Sequence, residues 1–258
     1  MAEKPYALQL YTVRDQLERD VSGTLAVVRK IGFRYVELAG TQGHAPGEYK
    51  RLLDQAGLSA VSAHIGYEEV VQHPENAVAY ARCFGLRFIV VPWLGGEGFH
   101  TREAWTEAAR RMDAAGEILR RAGVRLCYHN HAHEFACVDG ERIHDLLFKH
   151  SEPGRLAVQL DTCWAAVGGV DPVRLINAYG ERVPLLHIKD YKVEDRKPAL
   201  TEAGRGRMNW APIFDAAREA GVAWYIVEQD DNFVPGADGA PDSLESARIS
   251  GAYVANLL

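Results

Sequence analysis

"YALQLYTVRDQLERD", residues 6–20, separates two ways of building a chain in which helices and strands alternate. Its first eight residues, "YALQLYTV", are β-rich and apolar, and no helical pattern precedes them, so they read as the first strand. An open, doubly wound sheet leaves that strand through a Gly-x-Gly-x-x-Gly turn, where missing side chains let the backbone approach a pyrophosphate. Here "RDQLERD" follows, with no glycine. The "GGEG" at residues 95–98 lacks that spacing and reads as plain loop. A sheet closed on itself is the alternative, and the rest of the chain supplies strands for it.

Seven times the sequence repeats one phrase: a helical pattern, a glycine, then a short β-rich run. The runs are "GFRYVEL" from Gly32, "GLSAVSAH" from Gly57, "GLRFIVVPW" from Gly85, "GVRLCYHNH" from Gly123, "GRLAVQLD" from Gly154, "GERVPLLHIKD" from Gly180 and "GVAWYIVEQD" from Gly221. Glycine tolerates the left-handed backbone that closes a helix, so each is expected to be a C-cap. Thr101, Asp171 (before Pro172) and Asn209 stand where helices are expected to start. Eight strands alternating with helices pair in parallel, and eight units of about 30 residues make a (β/α)8 TIM barrel. Nothing resembling a linker interrupts the rhythm, so residues 1–258 read as one domain. Two connections are long, 190–208 after the seventh strand and 230–242 after the eighth.

A net charge of −6 argues against a nucleic-acid groove, which needs concentrated Lys and Arg, and gives an anionic membrane surface no reason to be a partner. No stretch approaches the ~20 apolar residues of a membrane span. The start, "MAEKPYALQL", lacks a basic segment followed by an apolar core, so no secretory leader is expected. Cys83, Cys127, Cys137 and Cys163 form no C-x-x-C pair and read as thiols of a reduced, cytoplasmic protein.

Barrels of this kind carry their sites at the carboxyl ends of the strands. Those ends hold Gln9, Tyr11, Glu37, His64, Trp93, His129, His131, Asp161, His187, Lys189 and Glu228. Asp161, His187 and Glu228 close three consecutive apolar runs, "AVQLD", "PLLH" and "WYIVE". A carboxylate after four apolar residues is buried at its base and costs free energy unless paired or metal-bound. Two carboxylates and an imidazole from adjacent strands converge near the barrel axis, a mixed O/N set that suits Mn²⁺, Mg²⁺, Co²⁺ or Zn²⁺. The fifth strand, ending in "YHNHAHEF" at 128–135, adds His129 or His131. Each residue also has an ordinary use: Asp161 could cap the next helix or pair with Lys189, and His187 or Glu228 could satisfy rim neighbours.

The strand ends "LQLYTVRD" at 8–15, "VELAG" at 36–40, "SAH" at 62–64, "YHNH" at 128–131, "HIKD" at 187–190 and "VEQD" at 227–230 resemble, in order, those of the sugar phosphate isomerase/epimerase family with the xylose isomerase-like TIM barrel. The resemblance covers nearly the whole chain. It implies one divalent metal held by Glu, Asp, His and Glu from the fifth to eighth strands. Asp161, His187 and Glu228 match the last three. Where the glutamate is expected this chain has His129, as in a "YHNH" branch, so His129 is the expected fourth ligand, with His131 and Glu134 as rivals.

The implied chemistry is proton transfer at the carbon beside a carbonyl of a small carbohydrate, giving an isomerase or epimerase. A metal ion stabilises the charge that develops, a carboxylate takes the proton and a second group returns it. Glu228 is the expected base and His131 the expected partner, with His129 and Lys189 as alternatives; Lys189 could instead polarise a substrate oxygen. With the fifth-strand glutamate absent, elimination is the competing outcome, as in inosose dehydratases and keto-glycoside lyases, which look similar. A DNA-repair endonuclease of the same barrel needs a basic groove that the acidic charge disfavours, and a non-catalytic binding module would need no exchangeable metal. Glu37, His64, Trp93, Glu134 and Trp164 are candidates to line the substrate pocket. Arg205 and Arg207 in "EAGRGR" at 202–207 could hold a phosphate or carboxylate. Related barrels commonly pair, so a homodimer is one expected assembly.

Overall fold

The computed structural model describes residues 5–237 and 239–258. Each of the eight runs contains a strand: β1 Tyr6–Gln9, β2 Tyr35–Leu38, β3 Ser59–His64, β4 Phe88–Val91, β5 Arg125–His129, β6 Leu156–Asp161, β7 Leu185–Ile188 and β8 Trp224–Val227. They pair in parallel in chain order, and β8 returns to β1 (Tyr6 opposite Tyr225, Leu8 opposite Val227), closing the barrel.

Strand period sorts the side chains. Ala7, Phe88, Val90, Cys127, Ala157, Leu185 and Ile226 form an apolar plug inside the barrel. Their outward neighbours, among them Leu8, Ile89, Tyr128, Val158, Leu186 and Val227, pack in the core beneath the helices. Two residues beyond the plug, the same inward register brings up Gln9, His129, Gln159, His187 and Glu228, all buried. The polar layer therefore sits on an apolar floor, at the carboxyl end, by alternation alone.

Gly57 and Gly85 close the helices Pro46–Ala56 and Pro74–Phe84 with left-handed backbone (φ 72° and 71°), as expected of C-caps. Gly180 also caps its helix, Pro172–Tyr179, with its N–H on the Ile176 carbonyl, but in another conformation (φ 50°, ψ −129°) that leads into a short 3₁₀ turn; Gly154 is no C-cap and lies in a turn beyond the helix Ile143–Lys149. Thr101 and Asp171 cap their helices through their side chains, whereas Asn209 precedes Trp210–Glu219 without a capping bond.

The expected loop 190–208 is largely an antiparallel hairpin, Asp190–Glu194 with Lys197–Thr201. The segment after the hairpin folds back on the Asp190 carboxylate, which accepts from the backbone N–H of Tyr191 (2.8 Å), Gly204 (3.0 Å), Gly206 (3.2 Å) and Met208 (3.1 Å) and from Trp210 Nε1 (3.2 Å). A Cβ on Gly206 would lie 2.0 Å from Asp190 Oδ1, so only glycine fits there. All four cysteines are free. Among the described residues no helix is long and apolar enough to cross a membrane.

Candidate metal centre

Four side chains from the last four strand ends meet at the carboxyl mouth. One potential ligand atom each of His129, Asp161, His187 and Glu228 lies within 4.8 Å of all the others, and all four residues are buried. Asp161 divides its oxygens: Oδ1 accepts from the Trp164 backbone N–H (2.7 Å), capping the helix Thr162–Val167, while buried Oδ2 has no hydrogen-bond partner. His129 Nδ1 is likewise buried without one. Burial, reinforced by His187, holds the His129 pKa well below that of an ordinary imidazole, which leaves it neutral with a lone pair to offer.

His187 joins this group to a second carboxylate. Its Nδ1 is 2.8 Å from Glu228 Oε2 and its Nε2 2.7 Å from Glu37 Oε1. Burial alone would depress its pKa, but Glu228 and Glu37 push it up to about 10. Glu37 stands one layer beneath the mouth rather than at the pocket wall. Its carboxylate also accepts from Gln9 Nε2 (2.7 Å), Ser62 Oγ (2.5 Å) and Gln159 Nε2 (2.6 Å), and His64 Nε2 is 3.0 Å away. Burial works to raise the Glu37 pKa, yet His64 and His187 hold it far below the carboxylate range. Glu37 is thus placed to orient His187 and fix its tautomer, the usual task of a carboxylate behind a metal-binding histidine.

Lys189, only 1% exposed, sends its ammonium into the cluster: 2.9 Å from Glu228 Oε2, 3.3 Å from Asp161 Oδ2 and 2.9 Å from Asp230 Oδ2. The Asp161 contact is an ion pair without hydrogen-bond alignment, since that oxygen has no bonding partner. Burial opposes the Lys189 charge, but Glu228 and Asp161 prevail and raise its pKa well above normal. Burial and Glu228 push the Asp230 carboxyl up to about 6.

Above this layer opens a cavity of ≈ 450 Å³ whose wall includes Tyr11, His64, Trp93, His129, His131, Glu228 and Asp230. That volume is ordinary for a small-molecule site. His131 keeps a buried, unpartnered Nδ1, and burial, then Lys189, bring its pKa down to about 3. Its ring centroid lies 6.1 Å from that of half-buried Trp164, whose own ring sits 5.3 Å from Lys189 Nζ. Glu134 points away from this space. Its fully buried carboxylate accepts from Tyr128 OH (2.6 Å) and the His131 backbone N–H (2.8 Å), which ties down the turn after β5. Arg205 and Arg207 are exposed and do not line the cavity; Arg205 pairs with Glu202 at 3.5 Å.

A family model described as xylose isomerase-like TIM barrel matches residues 25–249. The chain belongs to that family. Among curated relatives, an inosose dehydratase of Lacticaseibacillus casei is 24% identical over 239 residues, covering 77% of this chain and 78% of that one. A sugar phosphate isomerase/epimerase from Parabacteroides distasonis ATCC 8503 superposes with a TM-score of 0.82 at 26% identity, over 98% of this chain and 94% of its own. The IOLI protein, solved with a binding zinc atom, superposes at 0.73 with 13% identity over 98% of each chain.

The residues of this xylose isomerase-like barrel fit a divalent cation. Asp161 Oδ2 and His129 Nδ1 are buried polar atoms without hydrogen-bond partners, a condition that native structures resolve with water, a proton or an ion. The donor set, two imidazoles and two carboxylates, is one that such metals take. Sequence reasoning passed over Asp230 and Gln159. Both were within reach: Asp230 lies two residues beyond Glu228 and Gln159 two before Asp161, so period two aims each pair the same way.

Proposed function

We propose that the protein is a divalent-metal-dependent enzyme that moves a proton at the carbon beside a carbonyl in a sugar or sugar derivative, acting as an isomerase or epimerase. The observation that carries this is the convergence of His129, Asp161, His187 and Glu228, with ligating atoms within 4.8 Å of one another, beside a cavity of substrate size. These four would hold the ion. With His187 Nε2–H given to Glu37, Nδ1 is the nitrogen left for it. Two imidazoles favour Mn²⁺, Co²⁺ or Zn²⁺ over Mg²⁺. When bound, the ion polarises the substrate carbonyl and acidifies the neighbouring C–H.

Glu228, at the cavity wall, takes that proton. The Lys189 ammonium at 2.9 Å holds the carboxylate in place and is itself braced by Asp230. His131, kept neutral by burial and facing the same cavity, exchanges the proton with the opposite face or a neighbouring oxygen. His64 completes the wall against which the sugar rests.

Elimination is the second reading, on two observations: β5 offers an imidazole where a second carboxylate is expected, and an inosose dehydratase is 24% identical over 239 residues. Glu228 would still take the proton, and a hydroxyl or glycosidic oxygen on the next carbon would leave.

Turnover of keto-sugars, keto-glycosides and inososes with Mn²⁺ in deuterated water tests both. Epimerisation or isomerisation yields a saturated product carrying solvent deuterium beside the carbonyl, and elimination yields an unsaturated ketone. Glu228→Gln should lower kcat on the order of a hundredfold or more. Near-normal kcat with metal retained would leave Glu228 a ligand only. No turnover of any of the three classes by metal-loaded protein would defeat the proposal.

A further inference from the structure

Among the described residues the exposed large hydrophobic side chains are Tyr11 (44%), Trp93 (50%), Ile118 and Val193. The two aromatic ones stand on the wall of the same cavity. Each ring has a fixed neighbour. The Arg14 guanidinium lies 4.0 Å over the Tyr11 ring, and its nitrogens donate to the backbone carbonyls of Tyr11 (2.8 Å) and Asp230 (2.7 Å). Trp93 packs against Gly95, where a Cβ would come 2.9 Å from Cζ2, and its centroid is 6.0 Å from the His133 ring, whose Nε2 is held 2.7 Å from the Leu94 carbonyl. Half-exposed rings held by fixed neighbours lose little freedom when a ligand covers them, which is how a preorganised contact gains affinity. A second cavity of ≈ 970 Å³, lined by Arg14, Arg19, Phe233 and Leu244, has Asp230 in common with the first.

We propose that Tyr11 and Trp93 form a second subsite that receives a ring joined to the reacting sugar, so that the substrate is a glycoside whose other half presents an apolar ring face. An aryl group and a second pyranose share that chemistry. The proposal rests on the function assigned above only for which half of the molecule reacts. The metal cluster takes the sugar, and the aromatic pair takes the ring attached to it.

The test is calorimetric titration of the Mn²⁺-loaded protein with methyl β-D-glucopyranoside, phenyl β-D-glucopyranoside and cellobiose. At least one of the two-ring probes should bind about three- to tenfold more tightly than the methyl glycoside, the range expected of one aromatic contact. A preference for the phenyl glycoside assigns an aryl aglycone, and one for cellobiose a second sugar; either supports the subsite. Tyr11→Ala and Trp93→Ala should each reduce the preference, while Tyr11→Phe, which keeps the ring, should retain it. Melting temperature and metal content identify any variant that has lost its fold. Equal affinity for the three probes, no binding of either two-ring probe, or a full preference surviving in folded Tyr11→Ala would overturn the proposal. Loss of keto-sugar turnover with the ring preference intact would remove the reaction and leave the subsite standing. Turnover without ring preference would do the reverse.

Discussion

Lys189 is the residue whose position most constrains the site, because its ammonium touches two of the four candidate ligands, Asp161 and Glu228. A cation there competes with a metal ion for the same oxygens unless something else holds it. Asp230 does so with both oxygens, at 3.2 and 2.9 Å. Asp230→Asn exchanges that charged acceptor for a neutral amide, and the ammonium should then lean fully on Asp161 and Glu228. Metal affinity is therefore expected to fall, by about tenfold if the lost attraction is near 1.4 kcal/mol, although Asp230 is not one of the four proposed ligands. Titration of the variant with Mn²⁺ reads this directly, and an unchanged affinity would mean that Lys189 has no hold on the ligands. At this scale the sequence was legible wherever a polar residue ended an apolar run, as at Asp161, His187 and Glu228. It was opaque where partners come from distant strands. Nothing local tells that Glu37 sits behind His187, 150 positions away.

The β5 end shows what an element adds to its residues. "HNHAHEF" reads as three histidines on one extended face, but the strand stops at His129 and the chain bends into a 3₁₀ turn, His133–Phe135. Only the first two rings face the candidate centre; His133 turns to the Leu94 carbonyl. The residue between them fixes that geometry. Asn130 Oδ1 accepts from the Asp161 backbone N–H (3.0 Å) and its Nδ2 donates to the Asp161 carbonyl (3.2 Å), so the amide rivets β5 to the end of β6. Asn130→Ala would leave the buried Asp161 N–H unpaired, at a cost of about 1–3 kcal/mol, while the Asp161 carbonyl keeps the first bond of the helix Thr162–Val167. A melting temperature lower by several degrees should result, at roughly 2–4 °C per kcal/mol for a chain of this size. Because Asp161 would lose its register, metal affinity should weaken too, and a variant stable as the parent would show that the rivet carries no load. The hairpin after β7 was read as loop for a related reason. Its pairing depends on Asp190 gathering five donors from as far along as Trp210, which no short window of sequence reveals.

For the whole molecule, the helix–glycine–strand rhythm sufficed to read the barrel, because closure needs only eight parallel strands whose inward positions alternate with outward ones. The ionic state of its mouth needed coordinates. In metal-free protein His187 is held as an imidazolium, its Nδ1–H donated to Glu228 and its Nε2–H to Glu37, and its pKa of about 10 stands above the ordinary 6.5. A raised folded-state pKa gives stability that is complete below about pH 6.5 and is lost as pH climbs through about 10. Ligation needs that same imidazole neutral, so an incoming ion must expel the proton, and metal affinity should rise with pH across this window. The two effects have opposite signs. Chelated protein should melt at progressively lower temperature from about pH 6.5 upward, while saturating Mn²⁺ should stabilise it more and more, since the gain grows with the ratio of ligand to Kd. The gap between the two melting curves should therefore widen with pH, and titration of the ion near neutrality in buffers of differing ionisation heat should report release of about one proton per ion bound. His187→Gln should flatten the chelated curve over this range. A gap that stays constant with pH, or ion binding without proton release, would mean that His187 is already neutral in the empty protein and that its Nδ1 carries no proton toward Glu228.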